Sequence, residues 1–130
     1  MRIVLDTNVM VSALLNASGA PAQVLNLVLN GKVVILYSNS ILDEYSQVLK
    51  RKKFSFTPAL VDPLLDFFRY EGELIVSEPS SELFTDKDDK KFYEVLLSAE
   101  GDYLITGNLK HFPQDQRIVS PSHFIKAYKG

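Results

Sequence analysis

Short apolar runs that alternate with amphipathic stretches constrain this chain more than any other feature of its sequence. Residues 2–5, 33–37 and 103–106 are such runs, and helical periodicity follows the first two. No hairpin turn signal joins one run directly to the next. Parallel strands need crossover connections, and helices then bury both faces of the sheet. The pattern predicts an α/β fold, a three-layer α/β/α sandwich around a mainly parallel sheet.

The predicted elements fill the chain without a repeat or a linker, so residues 1–130 are expected to form a single domain. Helices are predicted over residues 8–15, 21–29, 41–49, 58–70 (with Leu60 facing inward), 88–100 and 121–128. Strands are predicted over residues 2–5, 33–37, 73–76, 103–106 and 118–119, and a loop over 78–86.

Composition excludes several classes of protein. The absence of cysteine removes disulfides, thiolate catalysis and thiolate zinc sites, and it suits a cytoplasmic location, which we expect. The sequence predicts neither a signal peptide nor a membrane-spanning stretch. The net charge of -2 argues against nucleic-acid binding by bulk electrostatics. Any such binding needs a local site, helped by the basic run 50–53 unless that run is only a solvated helix end.

Polar side chains stand where two of the predicted strands end. Asp6 and Asn8 follow the first strand, and Thr106 and Asn108 close the fourth. In open parallel sheets the functional crevice lies beyond the carboxyl ends of the strands. Asp and Asn also cap helices well, so helix capping remains the alternative explanation for each of them.

Glu44 lies on the apolar side of its predicted helix, because it comes three residues after Ile41 and four before Val48. No arginine or lysine lies on that flank within one turn. A carboxylate facing the core is costly unless it is paired, hydrogen-bonded or bound to a cation. Alternatively, Glu44 sits at the edge of the apolar stripe and reaches water.

Three acids, Asp86, Asp88 and Asp89, crowd the start of a later helix, where the dipole tolerates negative charge. One capping residue would be enough for an ordinary helix start. Asp89 precedes Phe92 by three residues and Asp88 precedes it by four, so either could follow the buried face inward.

A cluster of Asp6, Glu44 and Asp89 with Asn108 alongside would be unstable without a cation, since close carboxylates repel one another. Oxygen ligands with open positions select a hard ion, Mg²⁺ or Mn²⁺. Such an ion can bind a phosphodiester and activate a water molecule. The residues therefore indicate metal-dependent phosphoryl chemistry.

The segments LDTNVMVSALL, ILDEYSQVL, DKDDKKFYEV and DYLITGNLKHFP resemble, in this order, the motifs of the PIN-domain proteins, most closely those of the VapC-like toxin branch. The resemblance covers essentially the whole chain. It implies a parallel-sheet fold with an acidic pocket and Mg²⁺- or Mn²⁺-dependent endoribonuclease activity. It also implies an RNA substrate, an antitoxin protein as partner, and a homodimer or larger assembly.

The family roles fall on Asp6, Glu44 and Asp89 as metal-binding carboxylates, with Asn8 orienting Asp6 or the scissile phosphate. The resemblance favours Asp89 over Asp88 as the third acid. Asp86, Asp88 and Thr106 are assigned supporting roles. Many relatives have Asp where this chain has Asn108, which brings no charge and would weaken a second metal site.

Two smaller candidates and two other function classes stay open. Lys110 and His111 are candidates for contact with a phosphate of RNA, although a lone loop histidine is more often only solvated. A catalytically weak or inactive scaffold module with the same fold is the main alternative, favoured by Asn108. An aspartate-nucleophile phosphatase is disfavoured, because position 8 is Asn where that chemistry needs an acid.

Overall fold

The computed structural model describes residues 1–128 and contains a five-stranded parallel sheet with helices between the strands. The strands are β1 (Arg2–Leu5), β2 (Val34–Tyr37), β3 (Glu73–Leu74), β4 (Tyr103–Ile105) and β5 (Ile118–Val119). The helices are α1 (Thr7–Leu15), α2 (Ala20–Leu29), α3 (Asn39–Leu49), α4 (Pro58–Glu71), α5 (Lys87–Ser98) and α6 (Pro121–Ala127). None of the helices in this part of the chain is long and apolar enough to cross a membrane.

The strand order β3-β2-β1-β4-β5 places β1 at the centre of the sheet. Ile3 pairs with Ile35 of β2 on one side and with Tyr103 of β4 on the other. Successive side chains of a strand point to opposite faces, yet Ile3 and Val4 are both fully buried. Helices therefore cover both faces of the sheet, and the predicted three-layer α/β/α fold is confirmed.

Several element boundaries differ from the prediction. Helix α5 ends at Ser98 rather than at residue 100, because Glu100 adopts a left-handed backbone conformation with φ of 51°. Strand β3 stops at Leu74 rather than continuing to Val76, since β2, its neighbour in the sheet, ends at Tyr37. The prediction that Leu60 faces inward is wrong. It lies beside the buried stripe of α4, in the first turn, and is 45% exposed.

The carboxyl ends of β1 and β4 lie side by side, since Leu5 pairs with Ile105 in parallel register. The residues that follow these two strands are therefore neighbours in space, although about a hundred positions separate them in the sequence. Helix α3 reaches the same edge through Tyr45, whose Oη donates a 2.6 Å hydrogen bond to the carbonyl of Leu5.

Candidate active site

Asp6 directly follows β1 and occupies the N-cap position of α1, but its side chain makes no capping hydrogen bond. Its backbone N–H donates to the carbonyl of Ile105 at 3.0 Å, and its Oδ2 accepts a 2.7 Å hydrogen bond from Thr106 Oγ1. The residue is only 5% exposed. Helix capping therefore does not account for Asp6, whose carboxylate is held by the strand next to its own.

Thr106 connects Asp6 with the loop after β4. Its hydroxyl is fully buried and accepts a 3.0 Å hydrogen bond from the backbone N–H of Asn108 while it donates to Asp6. The side chain of Asn108 is exposed and lines a neighbouring crevice together with Lys110 and His111. The backbone N–H of Asn108, and not its side chain, is thus linked to Asp6 through the hydroxyl of Thr106.

Glu44 has a partner for each of its carboxylate oxygens. Oε1 lies 2.6 Å from Nζ of Lys91, and Oε2 accepts a hydrogen bond from the hydroxyl of Thr7. Sequence reasoning found no cation within one turn of α3, and the structure brings Lys91 to Glu44 from α5 instead. A signal for Lys91 was available. It precedes the buried Val95 by four residues, the same spacing argument that marked Glu44.

Tyr45, next to Glu44 on α3, was also missed as part of the site. Its ring is fully buried, and burial together with the nearby carboxylates of Asp6 and Glu44 raises its pKa well above the ordinary value of a phenol. The phenol therefore stays protonated and keeps its hydrogen bond to the carbonyl of Leu5. This bond ties the residue before Asp6 to the residue after Glu44.

The three acids at the start of α5 have different environments. Asp86 is the N-cap, and its Oδ1 accepts a 2.9 Å hydrogen bond from the backbone N–H of Asp88. Asp88 is exposed, whereas the side chain of Asp89 is only 15% exposed. Of the two alternatives that the sequence left for the inward-facing acid, the geometry favours Asp89.

His111 contacts Asp89. Its Nδ1 lies 3.3 Å from Asp89 Oδ2, and its side chain is 52% exposed. The approach does not have hydrogen-bond geometry, so Oδ2 is buried without a hydrogen-bond donor among residues 1–128. Oδ1 of Asn8 is in the same situation within that range.

A pocket of about 380 Å³ collects these groups at the carboxyl edge of the sheet. Its walls combine acids from three separate segments with a cation and an aromatic ring from the segment that follows α3. The lining residues include Asp6, Thr7, Asn8, Glu44, Arg51, Phe54, Asp86, Asp88 and Asp89. The structure thus brings together the three predicted metal-site acids, with Asn8, Asp86 and Asp88 beside them. Asn108, Lys110 and His111 lie outside this lining.

The carboxylates of the pocket influence one another electrostatically. Burial raises the pKa of Asp6, and the nearby charges of Asp89 and Glu44 raise it further, against the hydrogen bond from Thr106. Burial also raises the pKa of Asp89, as does the charge of Asp86, while His111 lowers it. Burial and the neighbouring charges therefore disfavour the ionised forms of Asp6 and Asp89, and a bound cation would stabilise those forms.

The donor set fits a hard divalent ion, although no group of three or more histidine, aspartate and glutamate side chains in residues 1–128 already forms a metal site. Two buried oxygens, Asn8 Oδ1 and Asp89 Oδ2, lack a donor within those residues, and the carboxylate of Asp6 lies in the same pocket. Amide and carboxylate oxygens are the ligands of Mg²⁺ and Mn²⁺. Glu44 contributes to such a site only if it exchanges Lys91 for the ion.

Comparison with known proteins finds matches in sequence and a match in fold. Residues 2–110 match the PIN domain family. The protein MJ1680 of Methanocaldococcus jannaschii is 31% identical over 111 residues, which make up 83% of this chain and 71% of that protein. One chain of the crystal structure of VapBC2 from Rickettsia felis bound to a DNA fragment from their promoter has a similar fold. The TM-score is 0.59 at 20% identity, covering 92% of this chain and 98% of the other. The resemblance predicted from the four sequence motifs is confirmed, and the chain belongs to the PIN domain family.

Proposed function

We propose that this protein is a Mg²⁺- or Mn²⁺-dependent endoribonuclease. The observation that carries the proposal is the convergence of Asp6, Glu44 and Asp89 in one pocket, where two buried oxygens lack hydrogen-bond donors in the described chain. Membership of the PIN domain family supports a nuclease. A pocket that would hold a divalent ion at the carboxyl edge of a parallel sheet is suited to hydrolysis of phosphodiesters.

Four residues in and next to the pocket have a defined part in the proposed reaction. Asp6 and Asp89 would hold the ion, and Asn8 would add an amide oxygen. The ion would supply Lewis-acid activation of the scissile phosphate and of the attacking water. Thr106 keeps the carboxylate of Asp6 in place through its 2.7 Å hydrogen bond, which orients that ligand before substrate arrives.

The pocket wall also offers groups that suit a single-stranded nucleic acid. Arg51 is exposed at the entrance and provides a cation for a phosphate. Phe54 lies in the same wall and stacks on Phe56, with ring centroids 5.6 Å apart and planes 16° from parallel. Nζ of Lys53 lies 5.1 Å from the centroid of Phe54. A cation beside aromatic rings is a common binding platform for unpaired bases, and it would place the substrate backbone next to the acids.

We further propose that the protein acts as the toxin of a toxin–antitoxin pair in the cytoplasm. The fold similarity to a chain of the VapBC2 structure supports a partner protein. A homodimer or larger assembly stays a prediction. Size-exclusion chromatography with light scattering would test it on the full chain.

The function is tested by incubating the purified protein with single-stranded RNA, with Mn²⁺ or Mg²⁺ and with EDTA. Asp6→Asn and Glu44→Gln should each abolish cleavage without unfolding the protein, since each removes a carboxylate through which an ion would be held, Glu44 once it has exchanged Lys91 for the ion. Asp43→Asn is the matched control, because Asp43 adjoins Glu44 on α3 but is exposed and lies outside the pocket lining. Full activity in Asp6→Asn or in Glu44→Gln would remove that residue from the mechanism.

A non-catalytic scaffold module is the second candidate, and one observation favours it. Lys91 and Thr7 already contact both carboxylate oxygens of Glu44, so this acid does not need a metal ion to balance its charge. Calorimetric titration with Mn²⁺ distinguishes the two functions. No binding, and no difference between the native protein and Asp6→Asn, would leave only the scaffold.

A further inference from the structure

Lys91 is an unusually enclosed lysine for the start of a surface helix. Its Nζ lies 2.6 Å from Glu44 Oε1 and donates a 2.5 Å hydrogen bond to the backbone carbonyl of Asp88. The same atom lies 5.1 Å from the centroid of the Phe92 ring. The side chain is only 17% exposed, whereas lysine is almost never buried unless it is paired.

These contacts fix the ammonium group between α3 and α5. The carbonyl of Asp88 and the ring of Phe92 belong to the first turns of α5, while Glu44 belongs to α3. An ammonium has three donors, and two of them have strong oxygen acceptors here. Lys91 is therefore positioned to neutralise the carboxylate of Glu44, which lines the acidic pocket.

The pocket consequently has two unlike halves. In one half, Glu44 has Lys91 on Oε1 and Thr7 on Oε2. In the other half, Asn8 Oδ1 and Asp89 Oδ2 are buried without a donor among the described residues. In the second half a divalent ion meets oxygens without a hydrogen-bond donor, of which Asp89 Oδ2 has only the half-exposed His111 Nδ1 at 3.3 Å, whereas at Glu44 the ion has to displace a hydrogen-bonded ammonium.

We propose that Lys91 is an internal counter-cation that competes with a divalent metal ion for Glu44. The resting site then accepts one ion among Asp6, Asn8 and Asp89, and a second ion reaches Glu44 only when Lys91 withdraws. This inference rests on the proposed metal-dependent function and assigns Lys91 as a positioning residue of the same site.

The test is titration of the whole 130-residue chain with Mn²⁺, followed by calorimetry and by the electron paramagnetic resonance signal of free Mn²⁺. Lys91→Met should either add a second bound ion or tighten binding by roughly tenfold, the scale set by a hydrogen bond between charged groups. Lys90→Met is the matched control, because it removes the same charge from the adjacent position. Lys91→Arg keeps the cation and should keep the affinity of the native protein.

Two further measurements separate competition from a structural effect. The gain in Lys91→Met should disappear in Lys91→Met combined with Glu44→Gln, because the freed ligand is then absent. Without metal, Lys91→Met should melt at a lower temperature than the native protein, and Mn²⁺ should raise its melting temperature by a larger amount. Lys91→Gln serves in its place if the Met variant does not fold.

Each outcome has a distinct meaning. Tighter or additional Mn²⁺ binding in Lys91→Met supports the proposal, and so does binding that appears only in that variant. If the native protein binds Mn²⁺ and Lys91→Met binds it equally or more weakly, competition is refuted while the nuclease proposal stands. If neither protein binds Mn²⁺, both proposals fail.

Discussion

Replacing Thr106 by valine removes the hydrogen bond that holds Asp6, together with the 3.0 Å hydrogen bond that Thr106 Oγ1 accepts from the backbone N–H of Asn108. The two side chains have nearly the same shape, but valine cannot donate to Asp6 Oδ2, which now accepts a 2.7 Å bond. A hydrogen bond to a charged group contributes about 1.5–3 kcal/mol to stability. The buried methyl group that replaces the hydroxyl adds roughly 0.8 kcal/mol to the free energy of unfolding. With Asp6 ionised, and with the neutral hydrogen bond from Asn108 N–H lost as well, we expect a net loss of about 1–4 kcal/mol in the free energy of unfolding.

This loss should depend on pH. Thr106 lowers the pKa of Asp6 against the raising effect of burial, so Thr106→Val should raise that pKa further. Where Asp6 is protonated in both proteins, only neutral hydrogen bonds are lost, each worth about 0.5–1.5 kcal/mol, and the methyl group offsets part of that loss. The stability difference between the two proteins should therefore grow as pH rises through the pKa of Asp6.

Urea unfolding in EDTA at two pH values, one below and one above the pKa of Asp6, measures this difference. Thr106→Ser, which keeps the hydroxyl, should retain the native pH dependence. Thr57→Val is the matched control, since Thr57 is exposed and makes no side-chain capping bond. An equal loss at both pH values would show that Thr106 does not stabilise an ionised Asp6. No loss at all would refute the contribution of the bond.

Two further predictions concern charge in the pocket. Because the pKa of Asp6 is raised in the folded state, the metal-free protein loses stability as pH rises from the ordinary aspartate pKa through the raised one. Asp6→Asn should therefore be more stable than the native protein in EDTA at about pH 8, and urea unfolding that shows equal or lower stability would contradict this. Asn108→Asp should change Mn²⁺ affinity by no more than about twofold, because that exposed side chain lies outside the pocket lining. A much larger gain in calorimetric titration would make residue 108 a metal ligand.

Sequence periodicity predicted the order of the elements and the inward side of Glu44, but it left Asp88 and Asp89 as alternatives for the third acid. The spacing of Glu44 from Ile41 and Val48 predicted its inward side, and the structure places it in the pocket wall. Parallel strands end at one edge, so the juxtaposition of Asp6 with Thr106 followed from their positions after β1 and β4. These inferences depend on local geometry that repeats along a helix or a strand.

The partner of Glu44 and the direction of the Asn108 side chain were beyond the sequence, because both depend on how separate parts of the chain pack. Lys91 belongs to α5 and reaches Glu44 on α3, a pairing that no local spacing encodes. The exposure of Asn108 depends on the path of the loop after β4, where the backbone N–H rather than the side chain turns toward Thr106. Side-chain direction in loops has no period, so a motif can fix a position without fixing what that side chain contacts.

The arrangement explains how an acidic pocket can exist in a stable fold before any ion binds. Repulsion among Asp6, Glu44 and Asp89 would oppose folding if all three were ionised and unpaired. Hydrogen bonds from Thr106 and Thr7 and the ammonium of Lys91 satisfy Asp6 Oδ2 and both oxygens of Glu44. The remaining cost falls on Asp6 and Asp89, whose pKa values are both raised. At the proposed metal site, the ion is expected to bind most tightly to Asp6 and Asp89, the two acids whose pKa values are raised. Its affinity should therefore weaken as pH falls and protons compete for those two carboxylates.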